Sequence, residues 1–199
     1  MNPRFIGFEF VIRHQTYEFM STPFYNMKDV KAMASNSPRL NVKILRDAKV
    51  QEYPFADYFK GFEDVEAVKR IFGKETVDVL NTLVVEFNSL RRGYMGVSDT
   101  NGHLLINTWY LKNGDLLDIY LDVIHELVHV KQFMEGRDLF DCSYDYVDRP
   151  TEIEAYRYAV EEARRLGLSD KRICEYLRTE WVCDRDFKRL IDSVNVKCD

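Results

Sequence analysis

His125-Glu126-Leu127-Val128-His129 is the segment of this chain whose residue types and spacing could do chemistry. Two histidines at i and i+4 fall on one face of a helix, one turn apart, where both imidazoles can converge on a single zinc ion. The glutamate beside the first histidine is placed to take a proton from a water that the metal activates. The whole chain holds only four histidines, so chance is a weak source of a helical pair around a glutamate. The alternative reading is a pair of core histidines satisfied by neighbouring polar groups.

The surrounding residues predict the helix that must carry the motif. Asn113-Gly114 is a turn signal, Asp115 is a good N-cap, the run Leu116 to Met134 contains neither Gly nor Pro, and Gly136 follows as a stop. At 100° per residue the apolar side chains cover most of the circumference. The remainder is one narrow polar sector: Asp118, Asp122, His125, Glu126, His129 and Gln132. A helix apolar nearly all round is a buried one, and a polar stripe on it needs partners because unpaired buried polar groups are costly.

Two histidines do not hold a catalytic zinc, and a third protein ligand is expected. No histidine follows His129, and His14 and His103 lie upstream in strand-like segments, His103 as a strand-end surface residue. A compact HExxHxxGxxH site is excluded, because Gln132 and Glu135 stand where its glycine and third histidine would be. Without that glycine the helix carries Glu135 past the site, so the ligand should be a downstream carboxylate. Pro150 opens a new helix running to about Leu166 and stopping at Gly167. Glu152 shares a face with Ala155, Tyr156, Ala159, Val160 and Ala163, small and apolar enough to pack against the motif helix. Glu154 points the other way, among Arg157, Tyr158, Glu161 and Arg165, as a solvated surface charge. Glu152 is therefore the expected ligand. Two imidazoles and one carboxylate suit zinc better than magnesium or calcium.

His125, Glu126 and His129 on one helix, with Glu152 and Ala155 in an ExxA arrangement on the next, resemble the glutamate zincins, or gluzincins, and in size the small prokaryotic ImmA/IrrE-type peptidases. The resemblance covers about residues 115–166. It implies an α+β, zincin-like fold: a small antiparallel or mixed sheet packed on the motif helix and a second, glutamate-bearing helix, with further helices at the C-terminus. It also implies hydrolysis of peptide bonds at a zinc site. One position departs: where those families carry Asp or Asn four residues after the glutamate, this chain has Tyr156. Its hydroxyl either supports the site or a developing oxyanion, or the residue is a packed tyrosine.

A length of 199 residues predicts one domain, with residues 1–100 as an N-terminal α/β portion, 103–166 as the metal-site core and 167–199 as a helical appendage. At 46% hydrophobic and 31% charged the composition is that of a globular protein with a core. No run of about 18 apolar residues suggests a membrane span. Arg4, Glu9, Arg13 and Glu18 interrupt what would be the apolar stretch of a signal peptide, which points to the cytoplasm. A net charge of −5 gives no general attraction to nucleic acid or anionic membrane. The cysteines Cys142, Cys174, Cys183 and Cys198 form no CxxC pair, so free buried thiols are expected rather than a structural zinc.

Along the chain we expect a strand or hairpin over Phe5 to Phe19 and a weak helix over Asn26 to Ser35. A strand over Asn41 to Val50 and helices over Glu63 to Phe72 and Glu75 to Arg92 follow. Next come a glycine-containing loop from Gly93 to Gly102, a strand over His103 to Tyr110, and two short helices over Ser169 to Glu180 and Asp184 to Val194. The His103 strand is either interior or the edge strand along which zincins pair an extended substrate. Tyr144 and Tyr146, in the loop between the two motif helices, either donate to an oxyanion or serve ordinary loop packing.

The expected activity is zinc-dependent peptide hydrolysis with Glu126 as general base and a peptide or protein substrate. The alternative is a non-catalytic metal-binding regulatory module, for instance one controlling a transcription factor. A pure binding protein has no need of Glu126. The last helices could pass for a helix-turn-helix but present no basic face.

Overall fold

Short strands and turns open the described part of the chain: β1 (Lys43–Ile44), β2 (Glu52–Pro54), the single turn α1 (Phe55–Tyr58) and β3 (Phe59–Lys60). This computed structural model describes residues 38–90, 93–179 and 182–198, and Pro38–Asp199 form one compact unit. The elements expected over Phe5 to Phe19 and Asn26 to Ser35 lie outside the described residues. Of the strand expected over Asn41 to Val50, only Lys43 and Ile44 pair, antiparallel to β3.

α2 (Glu66–Phe72) closes at Gly73 as expected. The long helix expected over Glu75 to Arg92 is corrected: α3 (Thr76–Thr82) ends, Leu83 turns extended at φ −63° and ψ 130°, and β4 (Val84–Asn88) begins. Val77, Leu80, Val84 and Phe87 match helical spacing, but Val84 to Asn88 also alternate. The sheet decides between the periods, because β4 pairs with β2 on one side and β6 on the other while Val85 and Phe87 enter the core. Val77 and Leu90, which continue that helical spacing, are exposed.

Within the expected Gly93 to Gly102 loop lies β5 (Met95–Val97), followed by β6 (Leu104–Asn107). The four-stranded sheet runs β2-β4-β6-β5, parallel between β4 and β6 and antiparallel elsewhere. The strand after His103 is therefore interior, and β5 is the edge strand that lies against the motif helix. β6 is shorter than expected because Asn107 caps a new helix, α4 (Thr108–Asn113), its side chain accepting from the N–H groups of Trp109 and Tyr110 at 2.9 and 3.1 Å. The turn out of α4 needs Gly114, where a Cβ would fall 2.6 Å from the Tyr110 ring.

The motif helix α5 (Leu116–Met134) has the predicted bounds. Asp115 accepts from the N–H groups of Leu117 and Asp118 at 2.9 and 3.1 Å, and Arg172 ion-pairs with Asp115 and Asp118. At its end Gly136, at φ +72°, donates to the Phe133 carbonyl while Arg137 donates to the Gln132 carbonyl, a left-handed cap that a residue with a Cβ adopts only under strain. Ile119, Leu121, Val123, Ile124 and Leu127 are fully buried. Truncating one such leucine typically costs about 2–5 kcal/mol. α6 (Pro150–Arg165) packs along α5, with Ala155, Ala159 and Ala163 fully buried as expected of its small-residue face.

α7 (Asp170–Leu177) and α8 (Asp184–Ser193) complete the fold, which is α+β with small sheets and several helices. The expectation of four free buried thiols is corrected. Cys174 on α7 and Cys198 form a disulfide with Cα atoms 5.8 Å apart, and Cys142 and Cys183 are free but exposed. A left-handed turn at Asn195 returns the C-terminal tail towards α7 and makes the bridge possible. Among the described residues no helix is long and apolar enough to cross a membrane.

Candidate metal centre

The C-terminal part of the polar sector of α5, His125, His129 and Gln132, faces the first turn of α6. His125, Glu126 and His129 retain 5, 8 and 5% of their exposure, and Glu152, the third residue of α6, retains 6%. The His125 and His129 Nε2 atoms lie 3.0 Å apart, and Glu152 Oε2 lies 3.3 Å from the first and 3.5 Å from the second. A tetrahedral zinc with ligands at 2.0–2.1 Å separates neighbouring donors by roughly 3.3–3.4 Å. The observed triangle has edges of that size, and the donor set, two imidazoles and one carboxylate, suits zinc.

Unmet hydrogen-bonding capacity points the same way. Among the described residues Glu126 Oε2 and His125 Nδ1 are buried without a hydrogen-bond partner, and such atoms are costly unless something else satisfies them. Burial pushes the Glu126 carboxyl up to about 8. Burial lowers His125. For His129 burial acts downward too, but the hydrogen bond and charge of Glu152 outweigh it and lift the ring to about 9. Burial would raise Glu152, yet the two histidines hold it well below the usual carboxylate range. A buried carboxylate facing two imidazole nitrogens is a donor set that a divalent cation would fit, and the charge of such a cation would favour the carboxylate form of Glu126 beside it.

Glu154 corrects a sequence expectation. It is half-buried rather than a free surface charge, accepting from Gln132 Nε2 at 2.9 Å and from Arg137 at 2.5 Å. Burial would raise its pKa, but those two bonds hold it below the ordinary range. The helical wheel places it correctly away from the ligand face. What the wheel lacks is the end of α5, where Gln132 and Arg137 project onto it. Gln132 was legible as a member of the polar stripe and as the residue in place of the glycine of a compact site, and its spacing three residues after His129 was the available signal for its role.

The three candidate tyrosines separate. Tyr156 is buried, its ring edge-on to His125 with centroids 4.4 Å apart. The Tyr146 and Tyr156 hydroxyls meet at 2.9 Å, and burial pushes both above the ordinary phenol range, which keeps them neutral. Tyr144 is exposed on the loop. A further carboxyl that sequence reasoning placed only on the polar stripe, Asp122, takes hydrogen bonds from the Tyr110 and Tyr176 hydroxyls, and burial pushes it up to about 7. His103 sits at the strand end, as expected, with its Nδ1 2.6 Å from Glu86 and Glu52 close by on the sheet. Glu86 also accepts from Asn101 at 3.1 Å, so this partly exposed group satisfies itself.

No protein-family model, no curated protein and no solved structure matches this chain, so the centre formed by His125, His129 and Glu152, which could hold a metal, stands on its own geometry.

Proposed function

We propose that the chain is a zincin-like, zinc-dependent peptidase in which His125, His129 and Glu152 hold the metal. The observation that carries this reading is the convergence of those three donors, with the Glu126 carboxyl beside them and an oxygen left over. Bound zinc would supply Lewis acidity, lowering the pKa of water towards about 7 and polarising a carbonyl. Glu126 takes the proton of the attacking water and returns it to the leaving amine. Tyr146 and Tyr156, neutral and coupled, supply a hydroxyl donor for charge that develops on the carbonyl oxygen. The outer edge of β5, along α5, supports strand-wise docking of an extended peptide, whose main chain supplies hydrogen bonds whatever its sequence.

The competing reading is a metal-binding regulatory module without catalysis. Glu126 separates the two, since three ligands suffice for binding. The Cys174–Cys198 bridge bears on location: disulfides persist in oxidising surroundings and are rare in a reducing cytosol, which weighs against the cytoplasmic expectation.

The test is cleavage of unfolded proteins and peptide libraries by zinc-loaded wild type and Glu126→Gln. The variant should keep fold and zinc and lose about 10²–10⁴ in rate, the usual cost of a missing general base. Zinc-loaded wild type that cleaves nothing favours the regulatory module, and Glu126→Gln with wild-type rates removes Glu126 from the chemistry.

A further inference from the structure

We propose that Gln132 is a positioning residue for the metal centre, fixing the tautomer of the ligand His129 and tying it to the backbone that carries the ligand Glu152. The inference rests on the metal-centre reading above and adds to it a bridge between two of the three ligands.

Gln132 lies three residues after His129 on the same face of α5 and keeps only 1% of its exposure. Its amide nitrogen is 3.0 Å from the Thr151 carbonyl oxygen and 2.9 Å from Glu154 Oε2. Neither of those oxygens carries a proton, so both demand a donor, and only the NH2 end of the amide can face them. The amide oxygen is thereby turned towards His129 Nδ1, at 2.7 Å. An acceptor at that distance requires the proton on Nδ1, so the neutral imidazole, the form that ligates a metal, presents its lone pair at Nε2. Nε2 is the atom that forms the donor triangle with His125 Nε2 and Glu152 Oε2. The orientation of one buried amide thus decides which nitrogen of His129 can bind a metal.

The other end of the amide is equally constrained. Thr151 immediately precedes Glu152, so the bond from Gln132 to the Thr151 carbonyl spans from the helix of two ligands to the helix of the third. Glu154 blocks the flipped amide, since an oxygen there would face a carboxylate. The Arg137 guanidinium balances the Glu154 charge at 2.5 Å. Arg137 is held in turn by the stop of α5, where its N–H bonds the Gln132 carbonyl. Arg137, Glu154 and Gln132 form a closed support behind His129, and the stop residue Gly136 sets its geometry.

Among the described residues His125 has no counterpart. Its Nδ1 is buried without a hydrogen-bond partner, and the Tyr156 ring lies edge-on to it. The two histidine ligands are therefore unequal, and orientation of the pair depends on His129. Outer partners of metal-ligating histidines typically contribute about 10–100-fold in metal affinity.

The experiment measures Zn2+ affinity by chelator competition, together with the ring N–H protons of the zinc-loaded protein by nitrogen-edited NMR. It uses the full chain as wild type, Gln132→Leu and Glu154→Ala. Wild type should show a slowly exchanging His129 Nδ1–H. Gln132→Leu should bind zinc about 10–100-fold more weakly and lose that slow exchange, with the His125 ring signal unmoved. Glu154→Ala, at the half-exposed end of the support, should shift the same proton and weaken binding less. A loss of packing alone would not move the His129 proton selectively. Both variants binding within twofold of wild type with the ring proton unchanged would overturn the role of Gln132 and leave the metal centre standing. Wild type that binds no zinc overturns the metal centre itself, and the role of Gln132 with it.

Discussion

Tyr146 and Tyr156 meet hydroxyl to hydroxyl at 2.9 Å, the first from the loop that leaves α5 and the second from the helix that carries Glu152. One hydroxyl donates to the other, so the pair has one O–H left to offer elsewhere. The loop side is clamped from α8: Arg189 ion-pairs with Asp145 and Asp148, the two carboxylates flanking Tyr146 and Val147. The Tyr156 ring at the same time packs on His125.

Tyr146→Phe and Tyr156→Phe test the donor role, because each keeps its ring and removes one hydroxyl. Zinc content should be unchanged in both. If Tyr146 donates to the carbonyl oxygen, its loss should lower kcat by about 10²–10³ with little change in KM, the usual cost of one such donor. Unchanged kcat in both variants would reduce the pair to packing.

Glu152→Ala should lose most of the metal, whereas Glu154→Ala should still fill to about one zinc per chain at saturating metal. The two side chains stand on different faces of α6, one in the donor triangle and one behind it. Metal analysis after dialysis against a weak chelator separates them, and equal zinc loss in both variants contradicts the assignment.

Asp122→Asn should flatten the pH dependence of stability in the metal-free protein. Burial lifts this carboxyl up to about 7 in the fold, while in the unfolded chain it titrates near about 4. A group raised in the folded state contributes stability that is fully present below the unfolded value and is lost as pH rises through the folded one. Asparagine does not titrate and can still accept from Tyr110 and Tyr176. The variant should therefore gain on wild type in urea midpoint between about pH 4 and pH 8. A constant difference across that window would show that Asp122 ionises normally.

Cys174→Ser should lower stability under oxidising conditions by about 3.5 kcal/mol, the loop-entropy value for a bridge of this span, where the cysteines are separated by 24 positions. Adding reductant to wild type should bring it to the same denaturant midpoint. A variant as stable as oxidised wild type would show that the tail holds its place without the bridge.

Several elements were legible because local signals and burial agree. The cap at Asp115, the Gly/Pro-free run and the stop at Gly136 bound α5 as the structure has it. Pro150 and the small face through Ala155 and Ala159 gave both α6 and the choice of Glu152. β4 was hidden because Val84, Val85 and Phe87 fit both periods and only pairing with β2 and β6 decides. β5 was hidden because a three-residue strand with a glycine at its centre has no period to detect. The disulfide depends on the tail turning back at Asn195, which spacing does not reveal. The support behind His129 joins residues 132, 137, 151 and 154 through an amide orientation that appears only once two helices are packed.

The central claim is that His125, His129 and Glu152 together hold zinc, and the direct test is zinc stoichiometry by elemental analysis of the purified protein. Wild type should carry about one zinc per chain, as a site of three convergent protein ligands does. His125→Ala and His129→Ala should each carry almost none while keeping their helical circular dichroism. Stoichiometric zinc surviving both substitutions, or none in wild type refolded with zinc in excess, would contradict the account.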